Sequence, residues 1–258
     1  MSAGPLWPAG QRLAILSALV DEQRGLIDQL EQPERIEHAG RRFWLGRLQG
    51  LPVVLTVSRI GKVSAAMTAT TLIERFDAGA IVFTGVAGAL AEPVRVGDVV
   101  VAQDFMQHDL DVSPLFPRYE VPAYGRARFA CHEALSAAVL EAAQQALAGE
   151  FAQATVHQGL IVSGDRFVSS AQEVGALRQH LAQAGHAALA VEMEGAAVAQ
   201  VCADHGLPYA AMRTISDRAD DTAHRDFAEF VAQVASRYAQ AIISRLLTGL
   251  ADAPAGRR

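Results

Sequence analysis

Charge is scarce in this chain. Only 19% of its 258 residues are charged, and 22 Lys and Arg against 28 Asp and Glu leave a formal charge of −6. With so little positive charge there is no basic footprint for gripping a phosphate backbone, so nucleic acid is not an expected partner. Cysteine is scarcer still. Cys131 and Cys202 stand alone, too few for a disulfide framework and not paired as metal ligands, which points to a reducing cytoplasm and away from a structural zinc site. Long hydrophobic runs are missing too. The apolar stretch 13–20, broken by Ser17, falls far short of the ~20 residues that a bilayer span needs. Asp21 and Glu22 follow it directly and little positive charge precedes it, which argues against a secretory signal. Repeats, low-complexity tracts and dividing linkers are also absent.

What the chain does have is apolar mass, 51% of its residues, enough to bury a large α/β core. Short apolar runs at 13–19, 53–58, 80–84, 98–102, 159–163, 187–191 and 209–215 each end in Gly, Ser, Asp or Glu, as strands covered on both faces should. Helical spacing fills 22–30, 62–76, 132–147, 171–182, 195–205 and 226–247. This alternation predicts one three-layer α/β/α domain over 11–248, built on a central mixed, mostly parallel twisted sheet, with flexible ends at 1–10 and 251–258. The segment 104–128 interrupts the rhythm with Pro114, Pro117, Pro122 and Gly125 and reads as a long functional loop.

Sheets of this kind place chemistry at the carboxyl ends of their strands. Three acidic positions stand there: Glu22, the pair Glu192 and Glu194 around Met193, and Asp217. Singly, an acid near a helix start is favoured by the dipole and usually does no chemistry. Together they could converge on one crevice. Thr84-Gly85-Val86-Ala87-Gly88-Ala89 allows close backbone approach but lacks the Gly-x-Gly-x-x-Gly spacing of a dinucleotide site, and Gly61-Lys62 lacks the leading glycine and trailing Ser or Thr of a phosphate loop. His108 beside Asp109 reads as a surface histidine in a polar turn. Neither a cofactor nor a metal is expected.

Gly159-Leu160-Ile161-Val162-Ser163-Gly164-Asp165, Val191-Glu192-Met193-Glu194 with Ala196-Ala197, and Arg213-Thr214-Ile215-Ser216-Asp217 follow in that order. Ile60-Gly61-Lys62-Val63, Val96-Gly97-Asp98 and His108-Asp109-Leu110-Asp111-Val112 accompany them. In these motifs the chain resembles the 5′-methylthioadenosine/S-adenosylhomocysteine nucleosidases of the nucleoside phosphorylase superfamily over roughly 13–246. The resemblance implies a cytoplasmic homodimer that hydrolyses the bond between adenine and a 5′-thio-substituted ribose. It assigns Glu22 to activating water and Asp217 to protonating the base. Glu194 would bind the ribose hydroxyls, Met193 would pack on the ribose, and Phe167 and Val168 would hold adenine by stacking and backbone hydrogen bonds. Ile60 and Phe227 would wall the thioether, and Ser216 belongs with the substrate-binding set.

Two positions depart from the superfamily pattern. Val86 stands where serine is frequent, and Phe83 lies near where phosphate-using members tend to carry arginine. Both are apolar, which disfavours phosphorolysis and leaves water as the nucleophile. By the chemistry of the site, Asp217 should be kept neutral by burial, while Glu22 should be ionised at a helix start and Glu194 should act as an anion. Phe105 or Pro114 of the 104–128 loop are expected to reach over a partner's cavity. Sister nucleosidases acting on aminofutalosine or 5′-deoxyadenosine, and, more remotely, a phosphate-dependent phosphorylase, are the alternatives.

Overall fold

The computed structural model of the protein describes residues 6–8, 10–149, 151–218 and 230–252. Eleven strands are hydrogen-bonded in the order β2-β3-β4-β1-β5-β11-β6-β10-β9-β7-β8, with a further pairing of β11 to β7. The central strands are β1 (Arg12–Ser17), β4 (Leu51–Val57), β5 (Ala78–Thr84), β9 (Val156–Ser163), β10 (Ala188–Glu192) and β11 (Tyr209–Asp217). β1 runs parallel to β4 and β5, β5 to β11, and β9 to β10. β6 (Val86–Ala89) and β7 (Val99–Gln107) join β11 on either side, so that β11, β6, β10, β9 and β7 close into a small ring.

Burial on both faces explains the apolar runs. Along β1, Ala14 and Leu16 enter one core cluster while Leu13 and Ile15 enter another on the opposite face. The first cluster lies under α2 (Lys62–Phe76) and α5 (Gly195–His205), whose buried stripes include Leu72 and Val198. The second lies under α3 (Glu133–Leu147) and α6 (Ser236–Asp252). A third, smaller cluster packs α4 (Ala171–Gln183) through Leu177 and Leu181. Ser170 caps α4 by accepting from the Glu173 amide, which satisfies an amide the helix itself leaves unpaired.

The structure departs from the sequence reading in several places, among them β6, a strand where the sequence marked only a glycine-bearing segment. The segment 22–30 is helical only at Arg24–Ile27, helix α1, with turns on both sides, and the Gln23 side chain is drawn inward to the carbonyls of Ile15 and Thr56. β2 (Glu31–His38) and β3 (Arg41–Leu48) form an antiparallel edge. β2 is mostly solvent-exposed and rich in Glu, so it offers no apolar run to detect. The segment 104–128 is not all loop: β7 continues to Gln107, and β8 (Arg128–Ala130) pairs with it. Finally, a turn of π-helix at Val231–Ala235 precedes α6, whose apolar stripe runs on to Leu250.

Helix α2 should divide sharply by face. Leu72→Ala, at a fully buried site, should cost about 2–5 kcal/mol in urea unfolding. Thr70→Ala on the exposed side should stay within about 0.5 kcal/mol.

Candidate functional site

The parallel strands deliver their carboxyl ends to one side of the sheet, and a cavity of about 150 Å³ opens there. Ala18 and Leu19 after β1, Ile60 after β4, Phe167 and Val168 after β9, Met193 and Glu194 after β10, and Ser216 and Asp217 on β11 all line it. Val86 and Gly88 of β6 complete the floor.

Asp217 reaches the cavity through a fault in the ladder. β11 pairs Ile215 with Ala87 but Asp217 with Gly88, a bulge at Ser216. Bulges re-aim side chains; Ile215 enters the core while Asp217, 8% exposed, lines the cavity. Ser216 Oγ donates to Asp217 Oδ2 at 2.7 Å.

Glu22 lies behind the Ala18–Leu19 wall. Its Oε2 accepts from both of those amides at 2.9 Å. Oε1 points toward Gly85 and Val86 without a hydrogen bond of normal geometry. Burial pushes its pKa from 4.5 up to about 7, against the pull of those amides and of the Arg213 guanidinium. The expectation of a plainly ionised acid at a helix start is therefore corrected: α1 is four residues long, and desolvation outweighs any dipole. Glu194 departs likewise from its expected anionic form. Burial first, then the neighbouring Glu192 charge, pushes it up to about 8, although the Gly61 amide donates to its Oε1 at 2.8 Å.

Glu192 lines the cavity as well, but its carboxylate is committed to protein partners. Its carboxylate takes Arg213 Nη2 at 2.7 Å, the Ser163 hydroxyl, and the amides of Glu194 and Gly195 at 3.2 and 2.9 Å. Arg213 sends its Nη1 donors to the carbonyls of Phe83 and Met212 at 3.1 and 3.0 Å, and its guanidinium covers the Phe83 ring at 4.1 Å. Phe83 is thus fully buried beneath Arg213 and is not among the cavity's lining residues.

The rim is tied by backbone amides. Gly61, at φ 95, takes a conformation that favours glycine, which lets its N–H meet Glu194. The Lys62 amide donates to Asp165 Oδ1 at 2.7 Å, the Asp165 amide donates to Asp109 Oδ2 at 2.9 Å, and Lys62 Nζ pairs with Asp109 at 2.5 Å. Arg166 pairs with Glu173, which also accepts from the Ser169 amide, fixing the turn that carries Phe167 and Val168.

Of the residues singled out from sequence, Asp217, Glu194, Met193, Phe167, Val168, Ile60 and Ser216 line this one cavity, with Glu22 just behind it. Phe227 lies outside the described residues. Phe105 does not reach outward: it is fully buried in β7, because that strand continues past 102. His108 is half-buried with its ring against Gly164, not a surface histidine. Sequence reasoning missed the roles of Glu192, Arg213 and Ser163, although all three lie inside quoted motifs. A charged pair on neighbouring buried runs was the available signal. Among the described residues no group of three His, Cys, Asp or Glu could hold a metal ion, and no helix is long and apolar enough to cross a membrane.

Residues 12–248 match the model of the phosphorylase superfamily. A 5′-methylthioadenosine/S-adenosylhomocysteine nucleosidase of Geobacillus thermodenitrificans is 37% identical over 237 residues, covering 91% of this chain and 96% of the relative. The crystal structure of the nucleosidase of that name from Neisseria meningitidis, in complex with methylthio-immucillin-A, superposes with a TM-score of 0.84 at 35% identity, over 93% of this chain and 99% of that one. A futalosine hydrolase mutant of Helicobacter pylori gives 0.82 at 31% identity, over 92% and 99%. The protein therefore belongs to the phosphorylase superfamily and, within it, to the 5′-methylthioadenosine/S-adenosylhomocysteine nucleosidase family.

Proposed function

We propose that the protein hydrolyses the N-glycosidic bond of 5′-thio-substituted adenosines, 5′-methylthioadenosine and S-adenosylhomocysteine, releasing adenine. One observation carries this: carboxyl groups from three different strand exits gather at one small, largely apolar cavity, while the cations beside it are already committed. Arg213 spends its donors on Glu192 and two carbonyls, and Arg166 is paired with Glu173. Among the described residues of this arrangement no cation is held free for inorganic phosphate, which supports water as the nucleophile.

Cleavage of such a bond passes through a sugar with oxocarbenium character and needs both an acid for the leaving group and a base for the nucleophile. Asp217 hands its proton to the purine as the bond lengthens. Glu22, with a pKa near 7, is poised to take a proton from water, since a general base works best when its pKa is close to the operating pH. Glu194 holds the ribose hydroxyls. A carboxylate there is attracted to the positive character that develops on the sugar in the same low-dielectric space, so its stabilisation grows as the transition state forms. Phe167, 40% exposed on the rim, offers a face for adenine, with the Val168 backbone beside it. Met193 packs on the ribose and Ile60 lies toward the 5′ substituent.

The site works in a homodimer in this reading. Ile60, Val63 and Met67 leave apolar surface at the start of α2. Asp109 ties to that same helix start the loop that bears Leu115, 79% exposed, and Phe116. A second copy is the occupant that would bury both. Cys131 and Cys202, free and buried, suit a reducing cytoplasm, where the methylthioribose released would feed recovery of its sulfur toward methionine.

Adenine release from 5′-methylthioadenosine should proceed undiminished in phosphate-free buffer; strict dependence on phosphate would sink the hydrolase assignment. A panel of 5′-modified adenosines in the same assay separates the thio-substituted substrates from aminofutalosine and 5′-deoxyadenosine. Asp217→Asn should lower kcat by about 100-fold or more with an unchanged melting temperature. The acid limb of kcat/KM should fall near pH 7, because Glu22 must lose its proton to act and its pKa is raised to about 7. Glu22→Gln should be nearly inactive, and an acid limb below pH 5 in the unsubstituted enzyme would remove Glu22 as the base.

A further inference from the structure

Gly195, the first residue of α5, directly follows Glu194, and its backbone angle is not of the left-handed kind that demands glycine. Alanine is the better helix former. The obstacle to a side chain is one ring. A Cβ on Gly195 would lie 2.1 Å from Phe105 Cε1, 2.6 Å from Cζ and 2.7 Å from Cδ1, separations no carbon pair tolerates. The ring has little room to retreat. Phe105 is fully buried, its strand is paired on both sides through Ile161 and Phe129, and its ring lies 5.7 Å from that of Tyr209.

The Gly195 backbone is clamped from other directions too. Its N–H donates to Glu192, the next amide donates to Ser163 Oγ at 2.7 Å, and Tyr209 donates to its carbonyl at 3.4 Å. The start of α5 is therefore drawn down by hydrogen bonds onto an aromatic seat, and its height above the sheet is set by where the Phe105 ring stops. Glu194 is one peptide away, and its carboxylate meets the Gly61 amide across the cavity.

We propose that Phe105 and Gly195 form a matched steric pair that positions the Glu194 carboxylate, and so determines how strongly the enzyme prefers ribonucleosides to deoxyribonucleosides. This rests on the reading that Glu194 holds the ribose hydroxyls. Neither residue touches substrate; both are positioning residues acting through the height of the α5 start. A site built to hydrogen-bond a hydroxyl rejects a ligand that lacks it, and the rejection weakens when the bonding group is displaced.

The test measures kcat/KM for 5′-methylthioadenosine and for its 2′-deoxy analogue in five proteins: unsubstituted, Gly195→Ala, Phe105→Val, the double variant and Glu194→Gln. Gly195→Ala lifts the helix start, and the preference for the ribonucleoside should fall by about tenfold. Phe105→Val, whose side chain ends at its γ carbons, removes the seat and should lower the preference by several-fold. In the double variant the new methyl occupies space the ring has left, and the preference should return to within about threefold of the starting value, a non-additivity that marks direct coupling. If Gly195→Ala does not fold, recovery in the double variant relative to Phe105→Val carries the same comparison. A preference unmoved in both single variants, or a double variant no better than Phe105→Val, overturns the steric pair even where Glu194→Gln has lost the preference. If Glu194→Gln itself keeps the preference, the role of Glu194 falls, and the proposal with it.

Discussion

The site depends on one buried ion pair. Arg213 and Glu192, each almost fully withdrawn from water, meet at 2.7 Å from β11 and β10, the two strands that flank β6 in the ring. Taking two charges out of water is costly, and such a pair is tolerable only when its remaining donors and acceptors are also met. Here they are: Ser163 and the first amides of α5 serve Glu192, while two strand carbonyls serve Arg213. Burial alone would weaken the hold of Arg213 on its proton, but the charge of Glu192 reverses this and leaves its pKa raised. The pair joins the start of a helix to four strands, β5, β9, β10 and β11. Loss of either partner alone would strand the other charge, at a cost of about 3–5 kcal/mol.

That constraint explains why two glutamates separated by a single residue have opposite environments. Glu192 is the last residue of β10 and points to Arg213; Glu194, past the turn, points to the cavity and to the Gly61 amide. The helix dipole and its unpaired amides are consumed by Glu192, so they are not available to steady a charge on Glu194. Burial, and after it the neighbouring Glu192 charge, holds its proton, and its ionisation becomes responsive to what enters the cavity.

Much of this was legible in the residues themselves. Apolar runs that end in Gly, Ser or an acid marked the central strands, and 62–76 and 195–205 matched their helices because an unbroken apolar stripe lies between two clear breakers. The exposed edge β2 was invisible because its residues answer to solvent, not to a core. The end of β7 was hidden by the prolines that follow Gln107, which made a strand look like the beginning of a loop. The acids were found as points on strand ends. What could not be seen is orientation: the bulge at Ser216 that turns Asp217 inward, and the pairing that commits Glu192 to Arg213, are properties of the folded sheet and not of composition. The direction of the Glu22 shift was misjudged for a related reason. A helix dipole can be guessed from sequence, whereas the depth of desolvation behind Ala18 and Leu19 depends on the packed structure.

Those raised acids also set the relation between stability and function. Glu22 and Glu194 have an ordinary value of 4.5 and are pushed in the fold to about 7 and about 8. Between pH 4.5 and those values the unfolded chain has released protons that the folded chain retains, so each group lowers stability as pH rises through that window. These two groups therefore weigh most against the fold near neutrality and above, where the base must be ionised to work. A ligand that brings positive character into the cavity relieves the same unfavourable charge, and its electrostatic interaction is greatest when the sugar approaches the oxocarbenium state. Strain of this kind is removed by the transition state more than by the substrate, which is the condition for accelerating a reaction instead of merely binding its reactant.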